Sequence, residues 1–263
     1  MEVKRILLVT KVNLKVTFLL VGFNLFMFML TTLLYFFLNI DLSASLLILG
    51  GEYTPLVLQG EIWRLVTASF LHANILHLLI NMWVLFSFGN YIEVFYSSKK
   101  LFVIYIITAI TGSLFSVIDN IVSAYSSASF ATDGFSLSVG ASGAIFGLVG
   151  VLIGNKLRPN TYSPSIPINS TELIVFVGYN LLLGFGLNVF GSQVLINNWA
   201  HIGGLIGGIL LGLILDTKHT FYKRQFKRFL EQVLFVLCLL IFVLSFLINF
   251  IFIFKSTGLF SLF

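Results

Sequence analysis

The chain has 263 residues, 58% hydrophobic and 10% charged, with 15 Lys and Arg against 10 Asp and Glu. An ordinary soluble domain carries roughly 25% charged residues, so this composition excludes a water-soluble globule, a disordered tail and a nucleic-acid-binding domain, for want of polar side chains to cover a wetted surface. Mean hydropathy is +1.04; lipid is the solvent, and the basic surplus speaks to orientation rather than to nucleic-acid partners.

Seven apolar stretches follow in chain order, and a crossing needs about 20 residues at 1.5 Å each. The first, at about 14–38, exceeds the roughly 7–15-residue core of a signal peptide and has no small-x-small site after it, so it is expected to be a retained span. Residues 39–72 form the longest outside connection. There Gly50, Gly51, Pro55 and Gly60 punctuate apolar patches such as Leu46 to Leu49, a pattern suited to a loop folded against the membrane face. Spans at about 73–96 and 100–118 lead into a Ser-rich linker at 119–139.

The fourth stretch, at about 141–155, is short and lies between the loop around Asp133 and the charges Lys156 and Arg158. A helix that starts below the membrane surface leaves its first residues at the floor of a cavity, where polar groups are tolerated. A linker at 158–170 carries Pro159, Pro164 and Pro167, and spans at about 172–190, 198–215 and 229–254 complete the series. The single cysteine, Cys238, lies in the last apolar run and makes no intrachain disulfide framework.

With seven spans, 13 of the 15 basic residues fall on one side: Lys4, Arg5, Lys11, Lys15, Lys99, Lys100, Lys156, Arg158, Lys218, Lys223, Arg224, Lys227 and Arg228. Arg64 and Lys255 fall on the other. The positive-inside rule then puts the N-terminus in the cytoplasm and the C-terminus outside.

Polar groups inside a membrane need a reason. His77 and Asn81 lie in the first turns of span 2, Ser142 opens span 4 and His201 follows the start of span 6. All three spans run inward, so the four residues share a depth below the outer surface, which suggests one polar site open to the outside. Ser142 lies in Gly140-Ala141-Ser142-Gly143. That run by itself favours a packing serine between small residues; the functional alternative is a hydroxyl beside unpaired helical N–H groups able to hold an oxyanion.

His201 shares a face with Gly204, Gly208 and Gly212, and span 4 has its own stripe of Gly140, Gly143, Gly147, Gly150 and Gly154. Two such faces pack closely and would bring Ser142 and His201 together, although an ideal helix turns Ser142 away from its own stripe. His201 bonded to a backbone carbonyl is the alternative. His77 and Asn81, four apart, share a face and suit either oxyanion stabilisation or interhelical hydrogen bonding. His72, five residues before His77, is expected near the interface as a loop anchor. A metal site on the histidines lacks the i, i+4 pairing and a carboxylate, so neither metal nor cofactor is expected. The outside acids Asp41, Glu52, Glu61, Asp119 and Asp133 are all read as loop residues and Asp216 closes the opposite face, so a nucleophile here, if the serine is one, belongs to a Ser–His dyad rather than a triad. Phe146, one turn after Ser142, is placed to stack under His201.

These residues resemble the rhomboid intramembrane serine proteases. Glu61-Ile62-Trp63-Arg64 resembles the family's E-x-W-R, His72 to Asn81 with His77 between resembles its H-x-x-x-x-H-x-x-x-N, Gly140-Ala141-Ser142-Gly143 its G-x-S-G, and Ala200-His201-Ile202-Gly203-Gly204 its A-H-x-x-G. Trp199 stands where the family usually has a small residue. The resemblance implies an all-α polytopic membrane bundle, with a six-span catalytic core at 1–216 and a basic linker plus seventh span at 217–263. It implies Ser142 as nucleophile and His201 as general base and acid. Asn81, His77 and the Ser142 N–H would form an oxyanion hole, flanked by the loops before span 2 and at 188–197 and supported by Phe146, Gly140 and Gly204. The implied partners are the lipid bilayer and transmembrane protein substrates, admitted between spans 2 and 5 and cut near the outer surface of a bacterial plasma membrane. A non-catalytic client-binding relative is the alternative; a small transporter would show inverted repeats.

Overall fold

The computed structural model describes residues 15–126, 135–158, 168–189, 196–218 and 225–256. Lys4, Arg5, Lys11, Asp133, Pro159, Pro164, Pro167, Lys223, Arg224 and most of the 188–197 loop lie outside the described residues. Those described form helices α1 (Lys15–Phe37), α2 (Leu42–Ile48), α3 (Thr54–Leu58), α4 (Arg64–Thr67), a 3-10 turn (Ala68–Phe70), α5 (Ile75–Phe95), α6 (Ser98–Ser126), α7 (Ser142–Leu157), α8 (Ser170–Val189), α9 (Asn198–Ile214) and α10 (Gln225–Ser256). Among them there is no β-strand, only one antiparallel bridge between Glu52 and Ser138. The fold is a polytopic helical bundle. α1, α5, α6 and α10 are long and apolar enough to cross a membrane, and α7, α8 and α9 supply shorter apolar segments.

α7 is the hub, and almost every residue from Gly143 to Leu152 is buried. Its glycine face meets that of α9 backbone to backbone. A Cβ at Gly204, Gly208 or Gly212 would collide with the carbonyl oxygens of Gly143, Gly147 and Val151, and one at Gly150 or Gly154 with those of Leu205 and Ile209. Lipid gives helices no hydrophobic reason to associate, so such close van der Waals fit is what holds them. α6 packs on the other face of α9, where Thr111 and Phe115 fill the space over Gly207 and Gly203.

The rim opposite Ser142 is fastened by charge. Glu93 accepts from Val16 N (2.9 Å), Thr17 N (3.0 Å) and the hydroxyls of Thr17 (2.6 Å) and Ser98 (2.5 Å), capping α1 and the α5–α6 corner. Asp216 pairs with Arg158 (3.1 Å) and Lys227 (2.7 Å), and Lys100 with Glu231 (2.8 Å).

The 39–72 connection is ordered around a buried cation. Arg64 is 3% exposed, and its guanidinium donates through Nε to Glu61 (2.7 Å) and through NH1 to the carbonyls of Leu47 (2.7 Å) and Gly51 (2.8 Å). α10 braces this connection. Trp63 Nε1 donates to Asn249 Oδ1 at 3.1 Å, Asn249 Nδ2 donates to the Ile48 carbonyl at 3.4 Å, and Phe242 and Phe246 pack edge-on against Phe70 and Phe23.

Two boundaries differ from the sequence expectation. α6 continues to Ser126 rather than ending near 118. Asp119 is therefore a helical residue, not a loop acid, and Asn120 is buried on the same helix. Polar composition hides this extension, because the helix gains from tertiary hydrogen bonds what propensity denies it. α10 likewise begins at Gln225, its first turn being basic rather than apolar.

Candidate active site

Gly140 sets the entrance to α7. Its φ is +135° and its N–H donates to the Ala68 carbonyl at 3.0 Å. Only glycine is at ease there: a Cβ would stand 2.8 Å from His77 Cε1, 2.9 Å from His77 Nε2 and 3.8 Å from Ser142 Oγ. The missing Cβ thus leaves a small hollow facing both the imidazole and the hydroxyl. Ser142 is the first residue of α7. Its own N–H and those of Gly143 and Ala144 lack the i−4 acceptors of a continuous helix, whose ladder begins with Ile145 N donating to the Ala141 carbonyl at 3.0 Å.

His201 lies in the first turn of α9, whose N-cap Asn197 accepts from Ala200 N at 2.9 Å. Ser142 Oγ and His201 Nε2 are 2.8 Å apart. The imidazole is 7% exposed and lies flat on Phe146, with centroids 4.3 Å apart and planes 6° from parallel. Phe146 in turn touches Phe176 of α8 at 5.9 Å. His201 Nδ1 is buried without a hydrogen-bond partner among the described residues. Among the described residues no carboxylate bonds the ring, and Phe146 covers its face. Ser142 escapes the ideal-helix projection because it opens the helix, while Gly143, one residue on, faces the Ala200 carbonyl.

The structure brings His77 beside Ser142 across Gly140. Asn81 is buried, and its Nδ2 donates to the His77 carbonyl at 2.8 Å; an amide has two N–H groups, so one remains for another acceptor. His72 lies in the loop before α5 and packs against His77, although the two are five residues apart. It is fully buried, edge-on to His77 with ring centroids 5.0 Å apart. The reason is local: α5 starts only at Ile75, after an extended Leu71, so helical offsets do not apply to residue 72. Burial, then repulsion from His77, pull its pKa down to about 3. Among the described residues no group of three or more His, Cys, Asp or Glu is placed to hold a metal ion.

One of the acids read from the sequence as a loop residue is a buried group bonded to α6. Glu52 is 1% exposed and accepts from Ser116 Oγ (2.5 Å) and Thr54 Oγ1 (2.9 Å). Burial pushes its pKa up, against those two hydrogen bonds and the Arg64 cation. The available signal was Ser116 and Asn120, two polar residues four apart and hence on one face of span 3.

The Rhomboid domain family matches residues 59–218. The chain is 37% identical over 182 residues to the Rhomboid protease GluP of Bacillus subtilis, covering 68% of this chain and 32% of that protein. It is 34% identical over 165 residues to RHOMBOID-like protein 6, mitochondrial, of Arabidopsis thaliana, covering 62% of this chain and 47% of that one. Inactive RHOMBOID-like protein 8 of the same plant is 32% identical over 158 residues, covering 60% and 39%. The chain therefore spans between about a third and a half of these relatives' lengths. With the family's domain matched over more than half its length on a bundle of apolar helices, this chain is an integral membrane protein and a member of the rhomboid family.

Proposed function

We propose that the chain is an intramembrane serine endopeptidase that cleaves transmembrane segments of other membrane proteins. The observation that supports this reading above the rest is the 2.8 Å approach of Ser142 Oγ to His201 Nε2, two groups carried by different helices.

In this mechanism His201 is neutral, with its proton on Nδ1, so Nε2 accepts from the Ser142 hydroxyl. Ser142 Oγ attacks the scissile carbonyl as His201 takes the proton. The oxyanion settles in the hollow at Gly140 and is held by the Ser142 N–H, the His77 ring and the remaining N–H of Asn81. His201 then protonates the leaving amine, and a water activated by the same imidazole hydrolyses the acyl-enzyme. Phe146 keeps the imidazole flat through both proton transfers. No cofactor takes part.

The catalytic core in this reading is residues 1–216, with α10 appended. The site faces outward from a bacterial plasma membrane, the N-terminus being cytoplasmic and the C-terminus outside, in accord with the basic residues. Substrates reach it between α5 and α8, and a segment with glycine or proline near the cut unwinds at lower cost.

The test is cleavage of a single-span substrate by the full chain in detergent. Ser142→Ala and His201→Ala should each abolish the cut. Cleavage persisting in both removes the dyad, and client binding without cleavage by the parent chain supports the non-catalytic alternative.

A further inference from the structure

Two chains of hydrogen bonds converge on the Glu52 carboxyl. In one, Asn197 Nδ2 donates to Ser116 Oγ (2.7 Å), and that hydroxyl donates to Glu52 Oε2 (2.5 Å). In the other, Asn120 Nδ2 donates to Thr54 Oγ1 (3.0 Å), and that hydroxyl donates to Glu52 Oε1 (2.9 Å). Each hydroxyl has one proton to give and lone pairs to receive an amide N–H, so both chains run in one sense toward the carboxylate. Only an acceptor at both oxygens terminates them. A glutamine or a protonated acid must offer a proton to one hydroxyl whose own proton already points at it.

The same residue reaches Ser142 through its main chain. Glu52 N donates to the Ser138 carbonyl (3.0 Å) and Ser138 N donates back (2.8 Å), which pins the segment that runs through Gly140 into α7. Asn197 Nδ2 also donates to Ser138 Oγ at 3.1 Å. Asn197 is the cap of the helix that carries His201, accepting from Ala200 N. One buried acid therefore touches the approaches to both members of the pair.

We infer that Glu52 is a positioning residue for the Ser142–His201 pair: its main chain fixes the segment leading to Ser142, and its carboxylate, through Ser116, fixes the Asn197 cap that aims His201. The inference rests on the dyad reading above. A buried carboxylate is weak support for stability, and burial works against the ionised form here; its two donor chains give directional order instead. The charged groups that face it are Arg64 and, paired with Arg64, Glu61.

The experiment uses the full chain in detergent, a single-span substrate and three variants: Glu52→Gln, Asn197→Ser and the two together. Serine keeps the cap acceptor of α9 but has no amide to donate to Ser116. Each single variant should lower kcat by about tenfold or more, since a small misplacement of reacting groups is costly. KM should hold within about twofold, and thermal unfolding should stay within a few degrees of the parent. The double variant should be no slower than the slower single one, because both cut one chain. If Glu52→Gln does not fold, Ser116→Ala, which leaves Glu52 in place, bears the same expectation. An unchanged kcat, losses that multiply in the double variant, or losses matched by a smaller folded fraction each overturn the positioning role. Ser142→Ala, run alongside, separates the two claims. If it still cleaves, the dyad has failed; if it is dead while Glu52→Gln is fully active, only the role of Glu52 has failed.

Discussion

Phe146 lies parallel to the His201 imidazole at 4.3 Å; in the proposed dyad this stack orients the ring where a triad would use a carboxylate. A flat apolar ring restrains the imidazole's tilt without changing its charge. Phe146→Leu should keep the fold and lower kcat about tenfold with KM nearly constant, because leucine fills the space but offers no plane. Steady-state kinetics on a single-span substrate read this directly; equal loss in kcat and in folded fraction would mean the ring is only filling.

The α7–α9 seam should be the least forgiving part of the bundle. Gly208→Ala drives a Cβ into the Gly147 carbonyl, whereas Gly178 on α8 has nothing within 4 Å of a Cβ. Overpacking typically costs about 1–3 kcal/mol. Gly208→Ala should therefore unfold at lower temperature and lose activity as the seam widens, and Gly178→Ala should behave as the parent in the same melting series.

Arg64 offers a third test. Its Nε and NH2 both bond Glu61, at 2.7 and 2.6 Å, while NH1 reaches two carbonyls. A lysine ammonium cannot reproduce that fork. Arg64→Lys should destabilise nearly as much as Arg64→Ala, which leaves Glu61 buried and unpaired at a cost of about 3–5 kcal/mol. Limited proteolysis of the 39–72 connection should report its loosening in both.

Acid should weaken the fold through His72. Its pKa lies at about 3, depressed by burial and then by His77, so the folded state favours the neutral ring. Stability from this residue is complete above the ordinary histidine value of about 6.5 and is lost as pH falls from there toward about 3, with a slope of up to about 1.4 kcal/mol per pH unit. Unfolding measured across this window should be flatter in His72→Phe than in the parent. Glu52 has the opposite sign. Burial raises its pKa, so its contribution is present in acid and declines as pH rises through the folded value, and Glu52→Gln should remove that decline.

Much of this was legible in the sequence because lipid enforces simple rules. Long apolar runs mark α1, α5, α6 and α10, and glycine stripes mark the α7–α9 seam. His77, Ser142 and His201, expected at one depth on three inward spans, lie close together around Gly140. What was illegible has a common cause. α6 runs on to Ser126 because Asn120 and Ser116 bond partners from a distant loop, and a lone Glu52 between Gly51 and Tyr53 carries no spacing that announces burial. The His72–His77 contact was illegible because it depends on where α5 begins, and the Asn74 cap that sets this is one polar residue among several.

The most direct measurement is covalent capture. A serine-reactive phosphonate is added to the full chain at neutral pH and its adduct located by peptide mass spectrometry. Modification is expected at Ser142 in the parent, none in Ser142→Ala, and labelling slowed by at least about a hundredfold in His201→Ala, in line with loss of a general base. Labelling of another serine accompanied by undiminished cleavage in Ser142→Ala, or equal rates with and without His201, would contradict it.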